Sequence, residues 1–408
     1  MLLWAVPFIG AAQNIDLLIL NKNYPEALSQ ISRKLEVQAD AELYLKQANI
    51  YQQLSKPLYA AQSLENSIAL DSTNSKYLSE YAELQAELGN PYKAVKYFKK
   101  AVDNSKDDLN LKCRLGKAYM NIEDYKNAFD IFSLIQIMDS TDLVYNKQLG
   151  LAASRIGEID LAISRFEKVL EYNPNDFSTY MNLISLYLKN KDAVQIIRTS
   201  DRALYFFPEN TSILYREANS LYVLKEYEEA RLPFERYLAK SDSVFDVLEN
   251  YGITLYFNHD ELKARKIMEK CFALNPTDQF VNFYLGLICK KLVDFPKCVE
   301  YLNMAIATSQ PAYLTEMYHL LGQVFGLQRE FEKSIEALKE AFKCNPLKYE
   351  ILVEIATTYE EFNPNKKLAL NYYQKYLKEA GNEAVNAKYA LERISKIEEN
   401  IGRGKKSD

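Results

Sequence analysis

The chain is poor in the residues that mark reactive sites. Two histidines, His259 and His319, occur in 408 residues. No HxxxH or CxxC pair, no phosphate-cradling glycine loop and no Ser/His/Asp arrangement accompanies them. Catalysis finds no support in the sequence, so the chain reads as no enzyme, with no metal and no cofactor. The five cysteines, Cys113, Cys271, Cys289, Cys298 and Cys344, are an odd number scattered along helical segments, which is not a disulfide framework. Cys289 and Cys298 could meet in one core, bonded or free. Glycine and proline number only 12 each, and no low-complexity linker divides the chain. The net charge of −5 is too acidic to predict a nucleic-acid partner.

Long apolar runs are missing as well. The one uncharged stretch, residues 1–12 (MLLWAVPFIGAA), is too short to span a bilayer. It ends Gly10-Ala11-Ala12, which reads as a signal-peptidase site with cleavage before Gln13. The positive n-region is missing, so either the start codon is misplaced or the segment is a clipped signal-peptide remnant; on both readings the chain is periplasmic or otherwise exported. Should residues 1–12 instead be a first helix lying on the next repeat, the chain is cytoplasmic.

What is abundant is tyrosine, 31 residues, and a repeated spacing of small and large apolar side chains. The clearest copy is Leu143 to Pro174. Leu149, Gly150 and Ala153 share one face of a helix, Gly157 breaks the pattern, and Ala162, Phe166, Val169 and Leu170 continue it on a second helix. Asn173-Pro174 ends that helix, because proline drives its predecessor out of the α region. A lone hairpin of this kind leaves an apolar face bare and needs a neighbour like itself. Counting Leu143 as position 1, Gly150 is position 8, Ala162 is 20 and Phe166 is 24. Thirty-four residues upstream stand Gly116, Ala128 and Phe132; downstream stand Ile184, Ile196, Ser200 and Pro208.

This period resembles the tetratricopeptide repeat (TPR), and the matches recur in phase. They include Tyr81, Ala82, Ala94 and Phe98, then Ala218, Tyr227, Ala230 and Phe234, then Gly252 and Ala264, Leu285 and Gly286, Leu321 and Gly322, and Ala356, Ala369 and Tyr373. The resemblance implies an all-α fold, a right-handed superhelical solenoid of about 10–11 helix-turn-helix units. The solenoid is placed at 13–381, with a bend near 307–314 at an insertion holding Pro311. A capping helix is placed at 382–400 and a disordered tail at 401–408. The unit at 177–210, with Ile196 and Ser200 where Ala and an aromatic belong, is expected to pack more loosely or to curve differently.

In the TPR family the first helices line a concave groove, and positions 2, 5, 6, 9, 12 and 13 face the ligand. On this chain those positions gather aromatic rings and two amides from residue 211 onward: Tyr215, Asn219, Tyr222, Asn250, Tyr256, Phe280, Phe283 and Tyr284. Asn219 and Asn250 are spaced like the asparagines of carboxylate-clamp TPR proteins. The clamp's cations are missing, since Tyr215, Phe280 and Tyr284 hold their places. The resemblance therefore implies a scaffold for a protein or peptide partner, taken on an aromatic groove suited to apolar or proline-rich segments. A glycan or small-ligand module using the same rings is the alternative. The rings could also pack between repeats.

Overall fold

The computed structural model describes residues 15–241, 244–309 and 311–404. The export segment read at 1–12 lies outside them, as do residues 405–408. Among the described residues every regular element is helical. The chain divides into two compact units, Met1–Leu186 and Tyr187–Asp408.

In the first unit the helices are α1 (Ile15–Leu20), α2 (Tyr24–Val37), α3 (Ala41–Gln53), α4 (Pro57–Leu70), α5 (Ser75–Glu87), α6 (Pro91–Asn104), α7 (Leu109–Asn121), α8 (Tyr125–Met138), α9 (Leu143–Ile156), α10 (Ile159–Tyr172) and α11 (Phe177–Lys189), which runs past its end. The second unit holds α12 (Ala193–Phe206), α13 (Thr211–Val223), α14 (Tyr227–Leu238), α15 (Phe245–Phe257), α16 (Glu261–Leu274), α17 (Gln279–Lys291) and α18 (Phe295–Thr308). It continues with α19 (Leu314–Leu327), α20 (Phe331–Cys344), α21 (Glu350–Phe362), α22 (Lys367–Ala380) and α23 (Ala387–Gly404). Within each unit, odd and even helices pair as hairpins and successive hairpins stack.

Three features of the 34-residue period produce this stacking. The first is a cap. Asp40, Asn74, Asp108, Asp142, Asn210 and Asp278 each precede a first helix and accept hydrogen bonds from its opening N–H groups. Each such cap stabilises its helix by about 1 kcal/mol. The second is the hairpin turn. Ser55, Gly89, Glu123, Gly157, Lys191, Lys225, His259 and Val293 all have positive φ. L-residues avoid that region, so the turn tolerates glycine best and β-branched Val293 worst.

The third is the meeting of positions 8 and 24. A Cβ on Gly116 would lie 2.6 Å from Cζ of Phe132, and one on Gly150 would lie 2.9 Å from Cε1 of Phe166. The same collision arises between Gly252 and Met268, Gly286 and Leu302, and Gly322 and Leu338. The small residue is what lets the two helices of a hairpin touch, and the large one fills the gap. Phe132 and Phe166 are fully buried, each stabilising its unit by about 2–3 kcal/mol through burial.

Departures from the pattern are absorbed locally. Ile184, Ile196 and Ser200 are all fully buried. Residues Pro311–Tyr313 form one 3-10 turn that takes up the insertion before α19. Cysteines 289 and 298 are both free and buried, and Cys298 donates its thiol to the Gly286 carbonyl at 3.1 Å. The last helix, α23, begins at Ala387 and continues to Gly404, beyond the end at 400 read from the sequence. It buries Ala390 and Ile397 with Tyr373 and Tyr376.

Candidate protein-docking face

In the second unit the first helices α13, α15, α17 and α19 touch one another in succession, so their side chains share a continuous face. The aromatic residues on α13, α15 and α17 arise from helical spacing. Asn219 and Tyr222 lie three residues apart; Glu249 and Tyr256 lie seven apart, two turns on one side of α15.

The structure brings four of the sequence-predicted rings into one file. Phe283 lies 5.9 Å from Tyr284, Tyr284 lies 5.8 Å from Tyr256, and Tyr256 lies 5.2 Å from Phe257. Phe257 stacks on Tyr227 at 4.4 Å with the planes 8° apart, and Tyr227 meets Tyr222 at 6.0 Å. Edge and offset contacts at these separations are the favoured aromatic geometries. Tyr222, Tyr256, Phe283 and Tyr284 are half-buried, so they pack against neighbours and still offer surface. The remaining two rings stand apart from the file. Tyr215 pairs with Tyr237 at 5.8 Å and Phe280 with Tyr313 at 5.2 Å. Tyr215 and Tyr237 also line an open recess of about 230 Å³ with Thr211, Ser212, Val244, Asp246 and Val247.

The two amides meet each other. Asn250 Nδ2 donates to Asn219 Oδ1 at 3.3 Å, which cross-links α13 to α15 and commits one donor and one acceptor. Sequence reasoning missed three contributors. Tyr227 opens a second helix, where groove positions were not sought. Lys291 places its Nζ 4.4 Å from the Tyr256 ring centroid and bonds Glu261 at 3.1 Å. Glu249 occupies position 5, a groove position, yet an acid on a helix reads as an ordinary solvated face. Burial, then the nearby charges of Asp278 and Asp246, push its carboxyl up to about 7. Burial, then Tyr227 and Glu249, raise the Tyr222 hydroxyl. Burial raises the Tyr284 hydroxyl too, with the tyrosines around it and Glu249 adding to the shift.

Further along the face, α17, α19 and α21 share a polar chain. Lys290 Nζ donates to Gln323 Oε1 at 2.7 Å, Gln323 Nε2 donates to Glu354 Oε1 at 3.2 Å, and His319 Nε2 lies 2.9 Å from the same oxygen. His319 thus lies on a first helix as read from its position, and His259 lies in a hairpin turn with φ 57°. No group of three or more His, Cys, Asp or Glu able to hold a metal occurs among the described residues. No described helix is long and apolar enough to cross a membrane.

A family model described as Tetratricopeptide repeat matches residues 75–108, 148–176 and 315–346. The chain carries tetratricopeptide repeats. The matched TPR segments fall in both units, and hairpins outside them keep the small–large pair, as at Gly116 and Phe132 and at Gly252 and Met268. Curated relatives include the BBSome complex member BBS4 of Bos taurus, 22% identical over 263 residues, covering 64% of this chain and 50% of that protein. Another is the TPR repeat-containing protein MJ1428 of Methanocaldococcus jannaschii, 21% identical over 329 residues, covering 75% of this chain and 57% of that protein. The chain thus spans about half the length of these relatives. Among solved structures, a TPR protein from Parabacteroides merdae aligns with a TM-score of 0.45 at 13% identity, covering 61% of this chain and 98% of that one.

Proposed function

We propose that this TPR protein is a non-catalytic interaction scaffold that holds an extended segment of a protein partner on the face built by α13, α15 and α17. The observation that carries the reading is the aromatic file from Phe283 to Tyr222, whose rings other than Tyr227 of α14 stand on first helices that touch in succession. Such rings offer large contact area at small cost in side-chain freedom. Because repeat stacking fixes them before a partner arrives, little ordering cost remains to be met on binding. That one relative is named as a complex member agrees with this role. Export of the chain, with cleavage before Gln13, belongs to the same proposal; an intact Met1 on N-terminal sequencing would count against it.

A photo-reactive amino acid tests the docking face. Placed at Tyr215 or Asn219, it is expected to cross-link a protein from the native extract. Placed at the exposed Leu232 of α14 or Leu262 of α16, it is expected to give no such product. Equal cross-linking from the second helices would refute the groove assignment.

A further inference from the structure

The docking face carries a half-buried charge that the described residues leave unanswered. Glu249 is half-buried on α15, one residue before the Asn219–Asn250 amide contact and two turns before Tyr256. Its carboxylate makes no hydrogen bond or ion pair among the described residues. Two acids act on it, Asp278 and Asp246, and the lysines further along the face are held by other partners. Asp278 caps α17, accepting from the N–H groups of Phe280 and Val281. Lys290 bonds Gln323 and Lys291 bonds Glu261. Asp246, exposed at the start of α15, adds a further negative charge. A partly desolvated carboxylate without a counter-charge is costly, and a cation brought to it relieves that cost.

The walls beside it suit a cation as well. Lys291 already sets an ammonium over Tyr256, two turns along α15 from Glu249. A ring face attracts an ammonium or guanidinium through its quadrupole, most strongly where water is excluded. Resting on the docking reading above, we propose that this face selects a partner segment carrying a lysine or arginine, whose cation sits against Glu249 and the Tyr222 and Tyr284 rings while neighbouring apolar side chains lie along the aromatic file. The occupant is thus a basic, aromatic- or aliphatic-flanked peptide, not an acidic or a purely proline-rich one.

Panning the full chain against displayed random short peptides tests this. Lysine or arginine next to an apolar residue is expected to be enriched. A synthetic copy of the leading peptide should bind Glu249→Gln at least about tenfold more weakly, a loss of about 1.4 kcal/mol. Replacing its cation by norleucine should cost the same on the unsubstituted chain and little more on Glu249→Gln, the coupling that a direct contact requires. Melting curves of Glu249→Gln check that the fold is kept. Peptides without a basic excess, or equal binding by Glu249→Gln, would overturn the inference. If such peptides still lose affinity on Tyr256→Ala, the docking face stands and only its charge preference falls. If Tyr256→Ala leaves their binding unchanged, both fall.

Discussion

Removing the buried carboxylate of Glu217 should stabilise the second unit, and more so as pH rises. Glu217 lies on α13 at position 7, where the repeat pattern calls for leucine. It is 5% exposed, and its Oε2 has no hydrogen-bond partner. Burial, then the charge of Asp201, push its carboxyl up to about 8, with Arg236 acting the other way. The folded chain therefore holds a proton that the unfolded chain releases above about 4.5. Stability falls with pH wherever the folded state binds more protons. The Glu217 contribution is thus most favourable below about 4.5, declines up to about 8 and is level beyond. Each tenfold difference in proton affinity between the folded and unfolded chain is worth about 1.4 kcal/mol. The loss at pH 7 is then at most ~3 kcal/mol, against under ~1 kcal/mol at pH 5. Glu217→Gln keeps the shape and removes the titration. Urea unfolding of both proteins between pH 5 and 9, with hydrogen exchange localising the change to α13 and α14, measures the gap. Glu249 contributes a similar slope to both chains, so the difference isolates Glu217. Parallel stability profiles would refute the reasoning, because they would mean that Glu217 titrates alike folded and unfolded.

Other consequences are simpler to read. Val293 holds φ at 61° in the turn between α17 and α18, so Val293→Gly should raise stability by about 1 kcal/mol, seen as a higher urea midpoint. Gly116→Ala should cost about 1–3 kcal/mol through the collision with Phe132, and Phe132→Leu in the same chain should recover part of that loss. A thiol reagent should label Cys344 quickly, since it is exposed, and reach Cys113, Cys271, Cys289 and Cys298 only on unfolding; rapid labelling of a second thiol would contradict the packing.

Much of the fold could be read from spacing, because the same collision recurs in every hairpin that carries glycine at position 8. Gly150 and Phe166 stand sixteen residues apart in the sequence for the same reason that they touch in the structure. A sequence displays that constraint as a period. The docking face was only partly legible. Position numbers placed Tyr222, Tyr256 and Tyr284 on one face, but they say nothing of how rings lean. Tyr215 and Phe280 turn to Tyr237 and Tyr313 instead of joining the file. Asn219 and Asn250 have the spacing of a pair that grips a ligand, yet spacing does not reveal that two amides can bond each other. Glu249 was hidden for a different reason: an acid on a helix is usually solvated, and only its half-buried setting separates it from Glu228 or Glu361. Glu217 stands at position 7, where Leu149 stands in the clearest repeat, and the cost of that departure depends on burial that no spacing records.

The most direct measurement of the central claim is a hydrogen-exchange footprint of the full chain bound to its captured partner. Added protection, or its side-chain counterpart by chemical labelling, is expected on α13, α15 and α17, centred on Tyr222, Glu249, Tyr256 and Tyr284. Protection concentrated on α14, α16 and α18, with those first helices unchanged, would contradict it.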